Sequence, residues 1–321
     1  MKNRKNNNEP FLEHNLKEIL NLVDIYTIGI LTFYLILSII LFPKIVEAKT
    51  YILTNLFVIA SIITLATIVE KFRAGYLIRL TRYIYIVPLI FFIYSQTQIY
   101  IRILNPNDFD WLLIKWDSII FGTNPNVFLS QFANPWLTEF LQFSYMTFFI
   151  MPLILGFEIF MKRDIKEYLS FARIITFGFF VSYLLYFFLP AIGPRFTLFD
   201  FNSINLELPG VYFTDFMREL VNIGGGIRHA IALPPADAVN RDCMPSGHTM
   251  ITIINMWQAH KYKSKFRLWI YFFGVSLIIA TVYLRYHYVV DVIGGIIFSI
   301  VVLWVEPKIR NLFKKLGFRL V

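Results

Sequence analysis

Long apolar blocks separated by short basic clusters set the rhythm of this chain. Continuous apolar runs occupy 23–43, 52–70, 83–103, 137–161, 170–190, 267–284 and 288–306. About twenty apolar residues in a row carry a helix across a bilayer, because the helix satisfies its own backbone amides. Strands of a membrane barrel would alternate apolar and polar positions over about ten residues. These runs do not alternate, so the pattern predicts an all-α fold, a polytopic transmembrane helical bundle. An eighth run at 246–260, SGHTMITIINMWQAH, is shorter and carries polar residues. Hydropathy alone leaves it open.

Charge resolves the ambiguity, because Lys and Arg collect in cytoplasmic segments. With eight predicted spans, one side holds Lys2, Arg4, Lys5 and Lys17 together with the clusters at 71–82, 162–173, 261–267 and 308–319. The other side holds a minority of the 30 basic residues. Omitting the short span would move the 261–267 cluster to the wrong side. Eight spans with both termini cytoplasmic is therefore the expectation. Residues 1–22 then form a cytoplasmic tail, 23–70 two additional transmembrane helices, 83–306 a six-span core and 307–321 a basic cytoplasmic tail. The N-terminal stretch lacks the short apolar core and cleavage site of a signal peptide. In the non-cytoplasmic loop 104–136, Trp111, Trp116 and Phe121 point to a helix lying in the interface. The loop 191–245 is longer, rich in Pro and Gly, and of the kind that often carries function.

The composition agrees, at 57% hydrophobic and 18% aromatic residues. A net charge of +9 would suggest nucleic acid in a soluble protein. Here it reflects topology, so membrane lipids are the expected neighbours and no nucleic-acid partner is expected. The lone Cys243 excludes an intramolecular disulfide. Thr249 stands where a cysteine phosphatase loop would need its arginine, so Cys243 is read as a small helix-cap residue.

Three polar segments carry candidate chemistry: GPRF at 193–196, MPSGHT at 244–249 and YLRYHYVVD at 283–291. The eight-span topology brings all three to one non-cytoplasmic face. Pro245 suits a first helical turn, and the amides of Ser246, Gly247 and His248 would then face an anion at a helix N-terminus. His287 and Asp291 are spaced to share a helix face, where the carboxylate could fix the imidazole tautomer. Arg195, beyond the break at Pro190 and Pro194, could grip phosphate with two parallel hydrogen bonds. Arg285 and Arg241 are further candidates for the phosphate oxygens, and Arg228 and His229 share the long loop without an assigned role. A two-histidine, one-carboxylate metal set is the nearest rival, but the adjacent amides and arginines favour an anion. No metal and no cofactor is expected. A transporter relaying protons through His and Asp is the alternative from another class. Against it stand the absence of paired hydrophobic repeats and the placement of the ionisable residues at span ends.

PSGH followed downstream by HxxxD, with an arginine after an upstream helix end, resembles the type 2 phosphatidic acid phosphatase superfamily over roughly 83–306. YLRYHYVVD with GPRF, and less specifically DSIIFGTNP at 117–125, is most similar to the inositol-phosphotransferase-like branch that includes inositol phosphorylceramide synthases. The resemblance implies a lipid phosphatase or head-group phosphotransferase, acting on a lipid phosphate or phospholipid, with an alcohol such as inositol as a second acceptor. It implies that His287 is the nucleophile forming a phosphohistidine, Asp291 its orienting carboxylate and His248 the acid for the leaving oxygen. Ser246 and Gly247 match the phosphate-binding pair, and Arg195 the first-motif arginine. The chain departs from the family pattern at Phe188 and Thr281, where a lysine and an arginine usually stand.

Overall fold

The computed structural model describes residues 16–72, 74–227 and 233–318; among them it is helical, with no strand. Arg228, His229 and Arg319 lie outside the described residues. The principal helices are α1 (Leu22–Ile40), α2 (Ala48–Lys71), α3 (Tyr76–Leu104, with a break at Tyr85), α4 (Asp110–Phe121), α5 (Pro135–Lys162), α6 (Ile165–Leu185), α7 (Thr214–Gly224), α8 (Gly247–Lys261), α9 (Arg267–Tyr283) and α10 (Val289–Lys315). Six of them, α1, α2, α3, α5, α6 and α10, are long and apolar enough to cross a membrane, which makes the chain an integral membrane protein.

Of the eight spans expected, α8 and α9 fall short of that length. Helix α9 is apolar over 17 residues. Helix α8 has 15 residues and packs against α5, α6, α9 and α10. It is surrounded by protein, so Thr252, Asn255 and Gln258 are buried in the bundle and do not face lipid. A helix so enclosed needs no apolar surface all round, and its weak hydropathy follows.

Local capping sets the helix boundaries. Asn21 accepts from the Asp24 amide at 3.1 Å while Asp24 accepts from the Asn21 amide at 2.8 Å, a reciprocal box that starts α1. Asp164 accepts from Glu167 N at 2.8 Å, so α6 begins at Ile165 and ends at Leu185, several residues ahead of the expected 170–190. Helix α10 runs through Pro307 to Lys315. The segment expected as a tail from 307 is thus helical over most of its length, with Lys314 and Lys315 in the last turn, where cations meet the carbonyl end of the dipole.

The two additional helices are fastened to the rest. Helix α1 packs on both α2 and α6. Tyr34 and Thr97 share a hydrogen bond of 2.6 Å, and Ser38 and Tyr100 one of 2.7 Å, joining α1 to α3. Asn55 of α2 and Gln96 of α3 exchange two amide bonds at 3.0 and 2.9 Å. Polar pairs of this kind lock helices together inside an apolar bundle.

Candidate active site

The connector between α9 and α10 carries His287, and its path is set by main-chain bonds. Arg285 sits in the left-handed region at φ +66°, which lets the chain turn back on itself. The amides of Tyr286 and His287 both donate to Thr281 O, at 3.0 and 2.9 Å. Asn126 Nδ2 donates to His287 O at 3.0 Å. His287 therefore precedes α10, and Asp291 lies in its first turn. This departs from the expected pair on a shared helix face. The Asp291 carboxylate turns back to accept from Tyr288 N at 2.9 Å, and its Oδ2 lies 3.5 Å from His287 Nδ1.

The nearer partner of that nitrogen is a carbonyl. His287 Nδ1 lies 3.0 Å from Cys243 O, an acceptor only, so Nδ1 carries the proton and Nε2 keeps its lone pair. Nε2 faces His248 Nδ1 at 3.4 Å. His248 is held from the side by α5, with the Tyr145 ring stacked on it at 4.7 Å and Phe148 at 4.4 Å.

Helix α8 begins where the PSGH segment was expected to open a span. Ser246 is buried; its hydroxyl accepts from Thr249 N at 3.2 Å, and its amide donates to Asp291 O at 2.9 Å. Its side chain is thus used as the helix cap. The next two amides, of Gly247 and His248, have no protein acceptor among the described residues. Gly247 is pressed against Tyr186: a Cβ there would lie 2.2 Å from the tyrosine hydroxyl.

Arg195 enters the same cavity from the short helix Pro194–Thr197. Gly193, at φ +96°, makes the turn into it, and a Cβ at Gly193 would strike Tyr286 O at 2.8 Å. Arg195 N donates to Arg285 O at 3.1 Å. Its guanidinium lies over the rings of Phe196, Tyr286 and Phe201 at 4.8, 4.9 and 5.5 Å, and donates to Asn222 Oδ1 at 2.8 Å. Among the described residues no carboxylate pairs with it. Burial pushes its pKa down from the usual range, and the charge of Asp242 in the same cavity offsets this only in part.

The other two arginines go elsewhere. The Arg285 guanidinium pairs with Glu207 and lies over Phe199 at 3.5 Å. Arg241 pairs with Asp108 at 3.1 Å and donates to Val239 O at 2.9 Å. Neither lines the cavity that holds the histidines. Arg285 serves that cavity through its backbone, as the acceptor for Arg195 N. At the two positions that depart from the family pattern, Phe188 is exposed and Thr281 supplies the carbonyl that holds His287.

Three site residues escaped the sequence reading. Asp110 and Asp117 lie two turns apart on the buried face of α4, away from the exposed Trp111. Asp110 accepts from Ile192 N, Gly193 N and Tyr288 Oη at 3.0, 2.8 and 2.8 Å. Asp117 accepts from Val289 N and Val290 N at 3.0 and 2.9 Å, capping α10. Burial raises both acids, Asp117 to about 6. Their spacing in DWLLIKWD was the available signal. Cys243 was read as a cap, yet its Sγ lies 2.8 Å from Asp291 Oδ2 and 3.5 Å from His287 Nδ1. Burial and the Asp291 charge push the thiol pKa up, so it donates to the carboxylate. Cys243, His287 and Asp291 offer ligand atoms within 4.8 Å of one another, a spacing a small cation could bridge. The thiol and Nδ1 nonetheless already have protein acceptors, while Asp291 Oδ1 has no hydrogen-bond partner.

The cavity holds about 240 Å³, bounded by His248, His287, Arg195, Gly247 and a wall of aromatic side chains. Desolvated imidazoles beside a buried guanidinium and free helix amides make a place for an anion that reacts with nitrogen. Comparison with curated proteins and with solved structures finds no match. The profile of one family, the PAP2 superfamily, matches residues 112–305, over half of the chain and inclusive of every element that builds this cavity except α3. The chain therefore belongs to the PAP2 superfamily, whose members are phosphatases.

Proposed function

We propose that this protein is a lipid phosphatase or phospholipid head-group phosphotransferase that works through a phosphohistidine on His287, without a metal. His287 Nε2 attacks phosphorus, and the bond from phosphorus to the leaving oxygen breaks as His248 protonates that oxygen. The Cys243 carbonyl and Asp291 hold the Nδ1 proton, and Asp291 balances the charge that develops on the ring. Arg195 and the amides of Gly247 and His248 take the equatorial oxygens, where charge builds in the transition state. Water or an alcohol such as inositol then takes the phosphoryl group from His287. The observation that carries the reading is the meeting of two imidazoles from separate segments, 3.4 Å apart, in a cavity with a desolvated arginine.

A lipid substrate is supported by the cavity's side wall. Ile90 and Phe91 of α3 and Phe149 of α5 line it. Phe91 and Phe149 also face outward, with their rings 4.8 Å apart. An acyl chain could lie along this seam while its phosphate reaches the histidines. We further place the chain in the inositol phosphorylceramide synthase-like branch, on YLRYHYVVD and GPRF. The topology we favour has eight spans, counting α8 and α9, with both termini cytoplasmic and the site on the opposite face. Residues 83–306 then form the catalytic core.

The test is phosphate release or head-group transfer from a panel of labelled lipid phosphates in detergent, with EDTA present. His287→Ala should lower turnover by at least about a thousandfold, and His248→Ala by about a hundredfold or more, with thermal unfolding little changed. Full activity of either variant, or loss of wild-type activity in EDTA, defeats the mechanism.

A further inference from the structure

Asp242 projects into the same cavity and has no part in the chemistry above. Its backbone is fixed on both sides: Arg241 N donates to Gln98 Oε1 at 2.8 Å, and Cys243 N to Ala191 O at 3.3 Å. Its Oδ2 accepts from the Tyr94 hydroxyl, which in turn accepts from Asn240 Nδ2 at 2.9 Å. Among the described residues no Lys, Arg or His pairs with it. Arg195, in the same cavity, feels the Asp242 charge without forming a salt bridge to it, and its direct contacts are Asn222 and aromatic rings.

A carboxylate that accepts from Tyr94 and forms no salt bridge among the described residues works against a phosphate donor in this cavity, because like charges repel strongly where water is excluded. A carboxylate only accepts hydrogen bonds, so it favours a ligand that donates them. The second half of the reaction requires an O–H nucleophile. Water needs no such anchor. A polyol has several hydroxyls, so one can be held while its neighbour attacks. Asn240 adds a neutral polar group, and Tyr94, Tyr183 and Tyr186 supply flat faces for the C–H side of such a ligand.

We propose that Asp242, with Asn240 and Tyr94, binds a polyhydroxy acceptor and directs the phosphoryl group to alcohol over water. This rests on the phosphohistidine reading. One hydroxyl of the acceptor donates to the Asp242 carboxylate. The adjacent oxygen attacks phosphorus, forming the P–O bond as the P–N bond to His287 breaks and the electron pair returns to the imidazole. The proton of the attacking hydroxyl passes to His248, which gave up its own proton in the first half-reaction. The products are a phosphorylated polyol and the free enzyme; with water in that place the product is inorganic phosphate.

The experiment uses the purified full chain in detergent, phosphatidic acid labelled at phosphorus, and either inositol or glycerol as acceptor. Label is partitioned between inorganic phosphate and phosphorylated polyol. The wild type should transfer to a polyol with saturation. Asp242→Asn should raise the polyol KM by about tenfold or more and lower the transfer-to-hydrolysis ratio to match, the effect of weakening a hydrogen bond to a charged group. Tyr94→Phe, which keeps the ring, should move the ratio the same way by less, and it serves as the test if Asp242→Asn does not fold. An unchanged ratio with an altered donor KM would show Asp242 to be only a counter-charge for Arg195, and overturns the proposal. So does a wild type that makes inorganic phosphate alone, or that prefers ethanolamine to either polyol; in those cases the phosphohistidine reading stands. Absence of His287-dependent label release from the wild type overturns that reading, and this proposal with it.

Discussion

The two ends of the bundle treat buried charge in opposite ways. At the end remote from the histidines, the described buried charges Asp24, Arg82, Glu158, Arg173 and Glu306 each have a charged partner. Asp24 pairs with Arg82 and also accepts from Tyr85. Arg173 pairs with Glu306 at 2.9 Å, and Glu306 accepts from Tyr26 at 3.1 Å. Glu158 accepts from Ser264 and from Lys265 N at 3.1 Å. At the histidine end the matching is incomplete. Among the described residues, Arg195 and Asp242 have no ion-pair partner, Asp291 Oδ1 has no hydrogen bond, and the amides of Gly247 and His248 have no protein acceptor. Charges buried at similar depth thus serve different purposes, and ion pairing separates the two, since single atoms such as Glu306 Oε2 lack a hydrogen bond at the remote end as well. Matched charges clamp helices; unmatched ones wait for a ligand.

The comparison predicts opposite phenotypes. Arg173→Ala leaves Glu306, which is 1% exposed, as an unpaired charge between α6 and α10. Breaking a buried pair from one side costs about 3–5 kcal/mol. Thermal unfolding in detergent should therefore drop sharply, while turnover per folded molecule at low temperature stays near wild type. If Arg173→Ala lost turnover without stability, the division between the two ends would fail.

A smaller effect divides arginines at the histidine end itself. Arg195→Lys keeps the charge but loses the flat, two-pronged donor, and should lower kcat/KM by about tenfold to a hundredfold, within the range of one lost charged hydrogen bond. Arg285→Lys should leave kcat/KM within about threefold, because its guanidinium is turned to Glu207 and only its carbonyl supports Arg195; a partly exposed ion pair is worth at most about 1 kcal/mol. Equal losses in the two variants would mean that Arg285 reaches the substrate during turnover.

Much of this was legible in the chain. Apolar blocks gave the long helices because a bilayer-spanning helix must be apolar along its length. PSGH and HxxxD marked the two imidazoles because those spacings need helix starts. The arginines were not separable, since a guanidinium in a polar loop has the same local pattern whether it meets a carboxylate, a ring or a substrate. Arg285 and Arg241 found Glu207 and Asp108, partners distant in sequence. Cys243 was misread because only the fold brings it to Asp291. The Asp110 and Asp117 pair was hidden by its neighbours: the exposed Trp111 marked the outer face of α4, while the carboxylates lie on its inner face with the partly buried Trp116 packed beside them.

That inner face yields the smallest and most discriminating prediction. Asp117 is pulled two ways, burial raising its pKa and the amides of Val289 and Val290 lowering it; burial wins, leaving it at about 6. In the unfolded chain the value is about 3.9. Folding therefore takes up a proton between about pH 4 and about pH 6. Stability contributed by Asp117 is present below that window and lost as pH rises through it. Asp117→Asn cannot titrate, so the gap in melting temperature between wild type and variant should narrow as pH is raised from 4 to 7 and stay flat beyond. A gap that widens with pH would mean that the two amide bonds outweigh burial. The cap would then act as a fixed anion at the start of α10, and the segment carrying His287 would be held more tightly at neutral pH than in acid.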